Sequence, residues 1–206
     1  MASYIREYEG GPCFFALPVA LDESKPEIEG FATNADVVRS FGRSFRDRFH
    51  IEPKLDVREV TDIQCHAITF IQRVLRSQTP EITVSLDRDT IPGGASLNGT
   101  VEGVRQGFII LLFVDDEGKV HDVSEYLHRT DRGYAFSAPV TPTGEGAMRD
   151  QLIVAIAADR KLGFVRTEVP IPDSAYFSSI LKQVVASGAD VSIGLSAFRV
   201  SPLNLK

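Results

Sequence analysis

The sequence predicts an α+β protein in two parts. These are a small β-β-α-β-α domain over residues 1–78 and an immunoglobulin-like antiparallel β-sandwich with a C-terminal helix and strand over residues 79–206. The composition, 43% hydrophobic and 24% charged, is that of a chain able to bury a core. In the first third, apolar residues at helical spacing alternate with apolar runs of strand length. The rest reads as short strands separated by turn residues, a pattern typical of a sandwich.

The first domain contains two predicted helices, each with a recognisable start. Asn34 is a good N-cap for a helix that runs to about Phe49 and places its phenylalanines on one side. Thr61 and Gln64 match a capping box, with the hydroxyl residue at the N-cap and the amide residue at N3. Strands are predicted over 13–21, over 27–33 and from Leu55 onward.

A polar segment, Ser-Gln-Thr-Pro at 77–80, marks the predicted boundary between the two domains. Beyond it, sandwich strands are predicted over 82–86, 96–102, 108–114, 120–123, 134–138 and 151–157. A helix is predicted from Asp173, as its N-cap, to Ser187, where Gly188 ends it. The last strand, over 191–200, has no hairpin neighbour in the sequence. We expect it to pair with the sheet of the first domain.

The charge and hydropathy of the chain argue against nucleic-acid binding and membrane insertion. Acidic residues outnumber basic ones by 28 to 22, which gives a net charge of −6 and leaves one short basic stripe. The longest apolar run, 108–114, is far too short to cross a bilayer. The first residues lack the apolar segment of a signal peptide. We therefore predict no nucleic-acid partner and no membrane insertion within this chain.

The sequence contexts of Cys13 and Cys65 favour a structural disulfide. Cys13 follows a Gly-Gly-Pro turn and opens an apolar run, while Cys65 lies in the first turn of the second predicted helix. Closing a loop of about 50 residues would stabilise the fold by about 4 kcal/mol in the chain-entropy model. A disulfide implies an oxidising compartment and, since no signal peptide is visible, a chain excised from a longer protein. The alternative is two buried free thiols.

The histidines do not form a recognisable catalytic or metal-binding motif. His66 is adjacent to Cys65, but neighbouring helical residues point about 100° apart and do not face each other. His121 and His128, with aspartates nearby, have the ligand types of a metal site without its compact spacing. The acidic run that opens at Asp115 is better explained as a hairpin turn. We predict no metal, no cofactor and no catalytic residue.

Arg39, Arg43, Arg46 and His50 recur at helical spacing on the first predicted helix, opposite its phenylalanines. This basic face has the charge to bind an anionic ligand or an acidic partner surface. The alternative is an ordinary solvated helix face without a ligand.

Several short segments spread over most of the chain belong together as a pattern. They are Gly-Gly-Pro-Cys-Phe-Phe-Ala at 10–16, Ile-Glu-Gly-Phe at 28–31, His-Ile-Glu-Pro at 50–53, Gln-Cys at 64–65, Leu-Asp-Arg at 86–88, Gly-Gly at 93–94, Leu-Asn-Gly-Thr at 97–100, Val-Asp-Asp-Glu-Gly at 114–118 and Phe-Arg at 198–199. Together they resemble a poorly characterised C-terminal extension found in certain bacterial serine/threonine protein kinases and caspase-like proteins. The resemblance implies that this chain is the terminal module of a signalling protein, attached to an effector domain that carries any kinase or protease-like activity. If a transmembrane helix separates the two, the module faces the periplasm.

We expect a non-catalytic, extracytoplasmic sensor module that binds a ligand or protein for a linked signalling domain. One alternative is a cytoplasmic protein–protein interaction scaffold with reduced cysteines, which would use the sandwich or the basic face. A second alternative is an enzyme of unrecognised type that uses His121, His128 and the aspartates near them.

Overall fold

The structure, a computed structural model, describes residues 1–22, 24–75, 82–105, 107–140, 149–163 and 170–201. It is of the mixed α+β class, as predicted. The helices are α1 (Ala2–Glu7), α2 (Ala35–Phe49), α3 (Cys65–Leu75) and α4 (Asp173–Ser187), with a 3-10 turn at Ser124–Tyr126. The strands are β1 (Phe15–Ala20), β2 (Glu27–Ala32), β3 (Lys54–Glu59), β4 (Thr83–Leu86), β5 (Thr90–Pro92), β6 (Ser96–Glu102), β7 (Phe108–Val114), β8 (Lys119–Asp122), β9 (Leu127–Thr130), β10 (Gly133–Pro139), β11 (Asp150–Ala158), β12 (Ile171–Pro172) and β13 (Val191–Ser201).

Within the described residues these strands form three sheets. In the first, β1 pairs antiparallel with β2, and β2 pairs parallel with β3. The second has the order β4-β6-β10-β9 and is antiparallel throughout. The third has the order β12-β8-β7-β11-β13-β5, in which the β13–β5 pair is parallel and the others are antiparallel.

The six-stranded sheet is the central layer of the molecule. All 9 residues of β11 are buried, because both faces of this sheet are covered. One face packs on the four-stranded sheet, through a core that includes Phe136 and Ile153. The other face packs on α3, α4 and the three-stranded sheet, with Phe31, Ile71 and Phe177 in the shared core. That core therefore takes residues from both predicted domains, whose expected boundary at 77–80 lies outside the described residues.

Helix α2 covers the outer face of the three-stranded sheet. The side-chain oxygen of Asn34 accepts the N–H of Asp36 at 2.7 Å, which confirms the predicted N-cap. Phe45 is fully buried between this helix, the sheet and α1. The helix approaches the sheet so closely at Gly30 that a Cβ there would lie within 2.6 Å of a methyl group of Val38. The close packing of α2 on β2 therefore leaves too little room for a side chain at Gly30.

The predicted capping box is present at the start of α3. The hydroxyl of Thr61 accepts the N–H of Gln64 at 3.3 Å, and Oε1 of Gln64 accepts the N–H of Thr61 at 2.9 Å. The buried Nε2 of Gln64 also donates to the carbonyls of Asp115 at 3.0 Å and Asp150 at 3.2 Å. These bonds attach the start of α3 to the end of β7 and the start of β11.

The start of α4 differs from the prediction by one residue. The helix covers Asp173 to Ser187, but Pro172 is its N-cap, and Asp173 is already helical. The N–H of Asp173 donates to the carbonyl of Gly118 at 2.8 Å. The hairpin after β7 therefore supplies the acceptor for this first N–H group of the helix. At the other end, Gly188 adopts the left-handed conformation predicted for the helix stop, with φ 59°.

The predicted partner of the last strand was wrong. β13 pairs antiparallel with β11 along the length of β11 and parallel with β5 at its end, and it makes no pair with the three-stranded sheet. The physical reason is complementary burial, since β13 and β11 are both largely buried. The short elements α1, β5, β9 and β12 were not predicted. No helix of the described residues is long and apolar enough to span a membrane.

Candidate functional site

The disulfide predicted from the sequence joins Cys13 to Cys65, and the described residues contain no free cysteine. The two Cα atoms are 4.9 Å apart, within the usual range for a disulfide. Cys13 has the left-handed φ of 64°, which costs a residue with a side chain about 1–2 kcal/mol. The bridge fixes this strained turn before β1 to the first residue of α3. It is a structural feature and contains no open thiol.

The side chains of the predicted basic face of α2 mainly contact residues close to them in the sequence. Its side chains pair with residues on the same helix or just beyond it, namely Arg39 with Asp36 at 2.6 Å, Arg43 with Ser40 at 3.2 Å and Arg46 with Glu52 at 3.2 Å. His50 follows the helix in a left-handed conformation, and its N–H donates to the carbonyl of Arg46 at 2.7 Å. Binding by this face as a whole stays a prediction. Of its members, Arg39 also reaches a cleft.

His121 and His128 lie on different sheets, β8 and β9. The Nε2–H of His121 donates to the buried carboxylate of Asp115 at 2.9 Å. Burial alone would raise the pKa of Asp115, but bonds from His121 and from the N–H groups of Lys119 and Glu117 lower it below its ordinary value. This pattern is that of a fixed hairpin turn. No group of three His, Cys, Asp or Glu side chains that could hold a metal occurs among the described residues.

His66 faces a buried carboxylate and not a thiol. Its Nδ1 lies 3.3 Å from Oδ1 of Asp173, the first residue of α4. Burial raises the pKa of Asp173, and the neighbouring His66 partly offsets that rise. Cys65 is part of the disulfide, so the described structure contains no Cys–His nucleophile pair.

A polar cleft of about 630 Å³, which we call the arginine cleft, lies between α2, β3, the turn before α3, β11 and β13. The first turn of α2, the end of β3 and the turn before α3 form one side, and the start of β11 and the end of β13 form the other. The charged residues that line it are Arg39, Glu59, Asp62, Arg149, Asp150 and Arg199.

Asp150 and Arg199 form a fixed ion pair in this cleft. The Asp150 side chain is 2% exposed and accepts from Nε and Nη2 of Arg199 at 2.9 and 3.0 Å. The two residues face each other in the β11–β13 register, which allows this two-bond contact. Asp150 also accepts the backbone N–H of Glu59 at 3.1 Å. The hydrogen bonds that Arg199 donates to Asp150 raise the pKa of Arg199, so its guanidinium stays charged.

The other arginines of the cleft are more accessible. Arg149 is exposed, and its side chain forms no hydrogen bond or ion pair with the part of the chain that the structure describes. Arg39 pairs with Asp36, but both side chains are more than half exposed, and such pairs contribute at most about 1 kcal/mol. Ala35, the first residue of α2, also lines the cleft, so the positive end of the helix dipole lies there. These groups can bind an anion.

A second cleft of about 650 Å³, the β1 groove, lies between β1, β4 and β13. Its walls are mostly apolar and include Leu17, Val19, Val84 and Leu195. The charged residues at one side pair with each other: Arg58 donates to Glu29 and Asp56, both at 2.8 Å. Burial raises the pKa of Glu29, and the bond from Arg58 partly offsets that rise. This triad is internally paired, which leaves Arg6 and Asp89 as the other charged residues that line the groove.

Comparisons of the chain with protein-family models, with curated proteins and with solved structures find no match.

Sequence reasoning singled out Arg39 but not Arg149 or Arg199. Both lie far from Arg39 in the chain, and neither belongs to a periodic basic stripe. Arg199 does fall in a segment of the family resemblance, without a role attached to it. The signal that unites them is the β11–β13 pairing, which the sequence did not predict.

Proposed function

We propose that the chain is a non-catalytic binding module of a bacterial signalling protein, and that its ligand is a small anion bound in the arginine cleft. The observation that carries the proposal is the convergence of Arg39, Arg149 and Arg199 on one cleft. Guanidinium groups bind carboxylates and phosphates through paired N–H donors. The N–H donors of Arg149 form no hydrogen bond with the described residues, so a ligand can accept from them. The cleft volume of about 630 Å³ is in the range of small-molecule sites.

The two rival functions would use other surfaces. A protein scaffold would use the whole basic face of α2, including Arg43, Arg46 and His50, whose side chains have local partners or lie beyond the helix end. An enzyme would use His121 and His128. His121 is hydrogen-bonded to the carboxylate of Asp115 in the hairpin turn, and His128 lies on a separate sheet. The open side chain of Arg149 and the exposed side chain of Arg39 favour binding of a small anion over both.

We further propose that residues 79–206 form an immunoglobulin-like sandwich and that the chain is linked to an effector domain. The sandwich is supported by two mainly antiparallel sheets that share one core among the described residues. Attachment to a kinase or caspase-like effector rests on the sequence resemblance alone. In this proposal the effector performs the chemistry and the present chain detects the ligand.

An extracytoplasmic location is supported by the disulfide between Cys13 and Cys65. We expect protein made in an oxidising compartment to take up no thiol label when it is denatured without reduction and alkylated. Mass spectrometry of the intact chain, with a reduced sample as the positive control, measures this directly. Uptake of two labels would contradict the extracytoplasmic proposal and favour the cytoplasmic scaffold.

The anion site is tested by ligand-induced stabilisation of the 206-residue chain at low ionic strength. A panel of dicarboxylates, inorganic phosphate and amino acids is screened by thermal unfolding, and each stabilising compound is titrated by calorimetry. We expect at least one compound to bind the wild type and Arg43→Ala equally, because Arg43 lies outside the cleft. Arg149→Ala should weaken binding about tenfold, since it removes a charged hydrogen-bond donor.

Two results would contradict the anion site. One is that no member of the panel stabilises the wild type. The other is that Arg43→Ala weakens binding as much as Arg149→Ala does, which would move the site to the basic face of α2.

A further inference from the structure

We infer that the ligand of the arginine cleft is a zwitterion, a small molecule with a free carboxylate and a free ammonium group, such as an amino acid or a short peptide. This inference rests on the proposed function, since the carboxylate of the zwitterion is the anionic group that the arginines bind, and it adds an ammonium group to the ligand. It follows from the acidic residues that share the cleft with the arginines.

The cleft is balanced in charge, and not simply basic. Among the described residues, three arginines and three acidic residues line it. A site that binds only anions gains nothing from carboxylates in the same cleft, because each one repels the ligand and lowers the local positive potential. A zwitterion converts the same carboxylates into partners for its ammonium group.

The ion pair of Asp150 and Arg199 leaves the other charges for the ligand. Asp150 is buried and accepts bonds from both Arg199 and the backbone of Glu59, so it is fully used inside the protein. The exposed side chains of Glu59 and Asp62, like that of Arg149, form no ion pair with the part of the chain that is described. The side chains that remain available to a ligand therefore include both cationic and anionic groups.

The backbone around these open groups is well fixed. The N–H of Glu59 is bound to Asp150, and Thr61, next to Asp62, is held on both sides by Gln64 in the capping box. Glu59 and Asp62 therefore line the cleft from a backbone that these hydrogen bonds fix. A fixed backbone reduces the ordering cost of binding a small ligand.

The test compares matched ligands that differ by one charge. The standard amino acids and alanyl-alanine are screened, and the tightest compound is titrated beside its N-acetyl derivative, which lacks the ammonium group, and its amide, which lacks the carboxylate. We expect each change to weaken binding about tenfold, a modest loss because Glu59 and Asp62 are exposed. The dipeptide arm separates a free amino acid from a peptide end as the source of the zwitterion.

Variants assign the two charges of the ligand to the two halves of the cleft. The double variant Glu59→Gln, Asp62→Asn should weaken binding of the zwitterion and leave binding of the N-acetyl derivative unchanged. Arg149→Gln should weaken binding of both compounds. Glu52→Gln, an exposed acid of the α2 end, is the matched control and should change neither. Circular dichroism and thermal unfolding confirm that each variant is folded.

Two outcomes overturn the inference in distinguishable ways. If succinate, phosphate or the N-acetyl derivative binds as tightly as the amino acid, and the double variant has no effect, the site is for anions alone and the proposed function survives. If neither zwitterions nor anions bind, the inference and the proposed function both fail.

Discussion

Two buried carboxylates hold strand ends in place, one in the β7–β8 hairpin and one in the arginine cleft. Asp115 accepts the Nε2–H of His121 and two backbone N–H groups, and it closes the hairpin between β7 and β8. Asp150 is 2% exposed and joins β11 to β13 and to the end of β3. At both residues several hydrogen-bond donors surround a buried carboxylate and offset the cost of burying it.

We predict that Asp115→Asn lowers the free energy of unfolding by about 2 kcal/mol at pH 7, since a buried charged acceptor is replaced by a neutral amide. The pKa of Asp115 is lowered in the folded state, so its stabilising contribution is present above the unfolded pKa of about 4. That contribution is lost as the pH falls through the folded pKa. The difference between variant and wild type should therefore shrink in acid.

Urea unfolding at pH 7 and at pH 3 measures this difference. Asp131→Asn, an exposed aspartate in the turn before β10, is the control and should match the wild type at both pH values. An Asp115→Asn loss that stays the same in acid would contradict the assignment of a charged, hydrogen-bonded carboxylate.

The start of α3 connects the helical layer to the central sheet. Gln64 satisfies the capping box and also donates to carbonyls at the end of β7 and the start of β11. Cys65, the next residue, ties the same point to the turn before β1. One side of the arginine cleft therefore depends on this junction.

Replacing Gln64 by Ala should lower the free energy of unfolding by about 3 kcal/mol, because several buried hydrogen-bonding groups lose their partner at once. Gln72→Ala on the same helix is the control, since Gln72 is only half-buried, and it should cost less than about 1 kcal/mol. Denaturant unfolding of both variants measures the effect. Equal losses would show that the junction has no special part in stability.

Elements with local signals were predictable from the sequence, and elements that depend on distant partners were not. The Asn34 cap, the Thr61–Gln64 box and the Gly188 stop each follow from neighbouring residues and are present. The predicted partner of β13 was wrong. Strand pairing is fixed by complementary burial across a sheet, and the linear pattern of residues does not encode it.

The whole molecule is organised around the six-stranded sheet, which packs on the four-stranded sheet on one face and on α3, α4 and the three-stranded sheet on the other. The arginine cleft lies where the first part of the chain meets the ends of β11 and β13. Its residues come from segments far apart in sequence. For this reason Arg39 was a candidate from its helix, whereas Arg149 and Arg199 became candidates only once the fold brought them together.

The most direct test of the binding proposal locates the ligand on the protein. A titration of the uniformly ¹⁵N-labelled chain with the tightest compound of the panel, followed by two-dimensional NMR, reports which amides change environment. The proposal predicts that the amides of Thr61, Arg149, Asp150 and Arg199 shift, while that of Arg43 does not. Shifts confined to the basic face of α2 or to the β1 groove, or no shift with any compound, would contradict it.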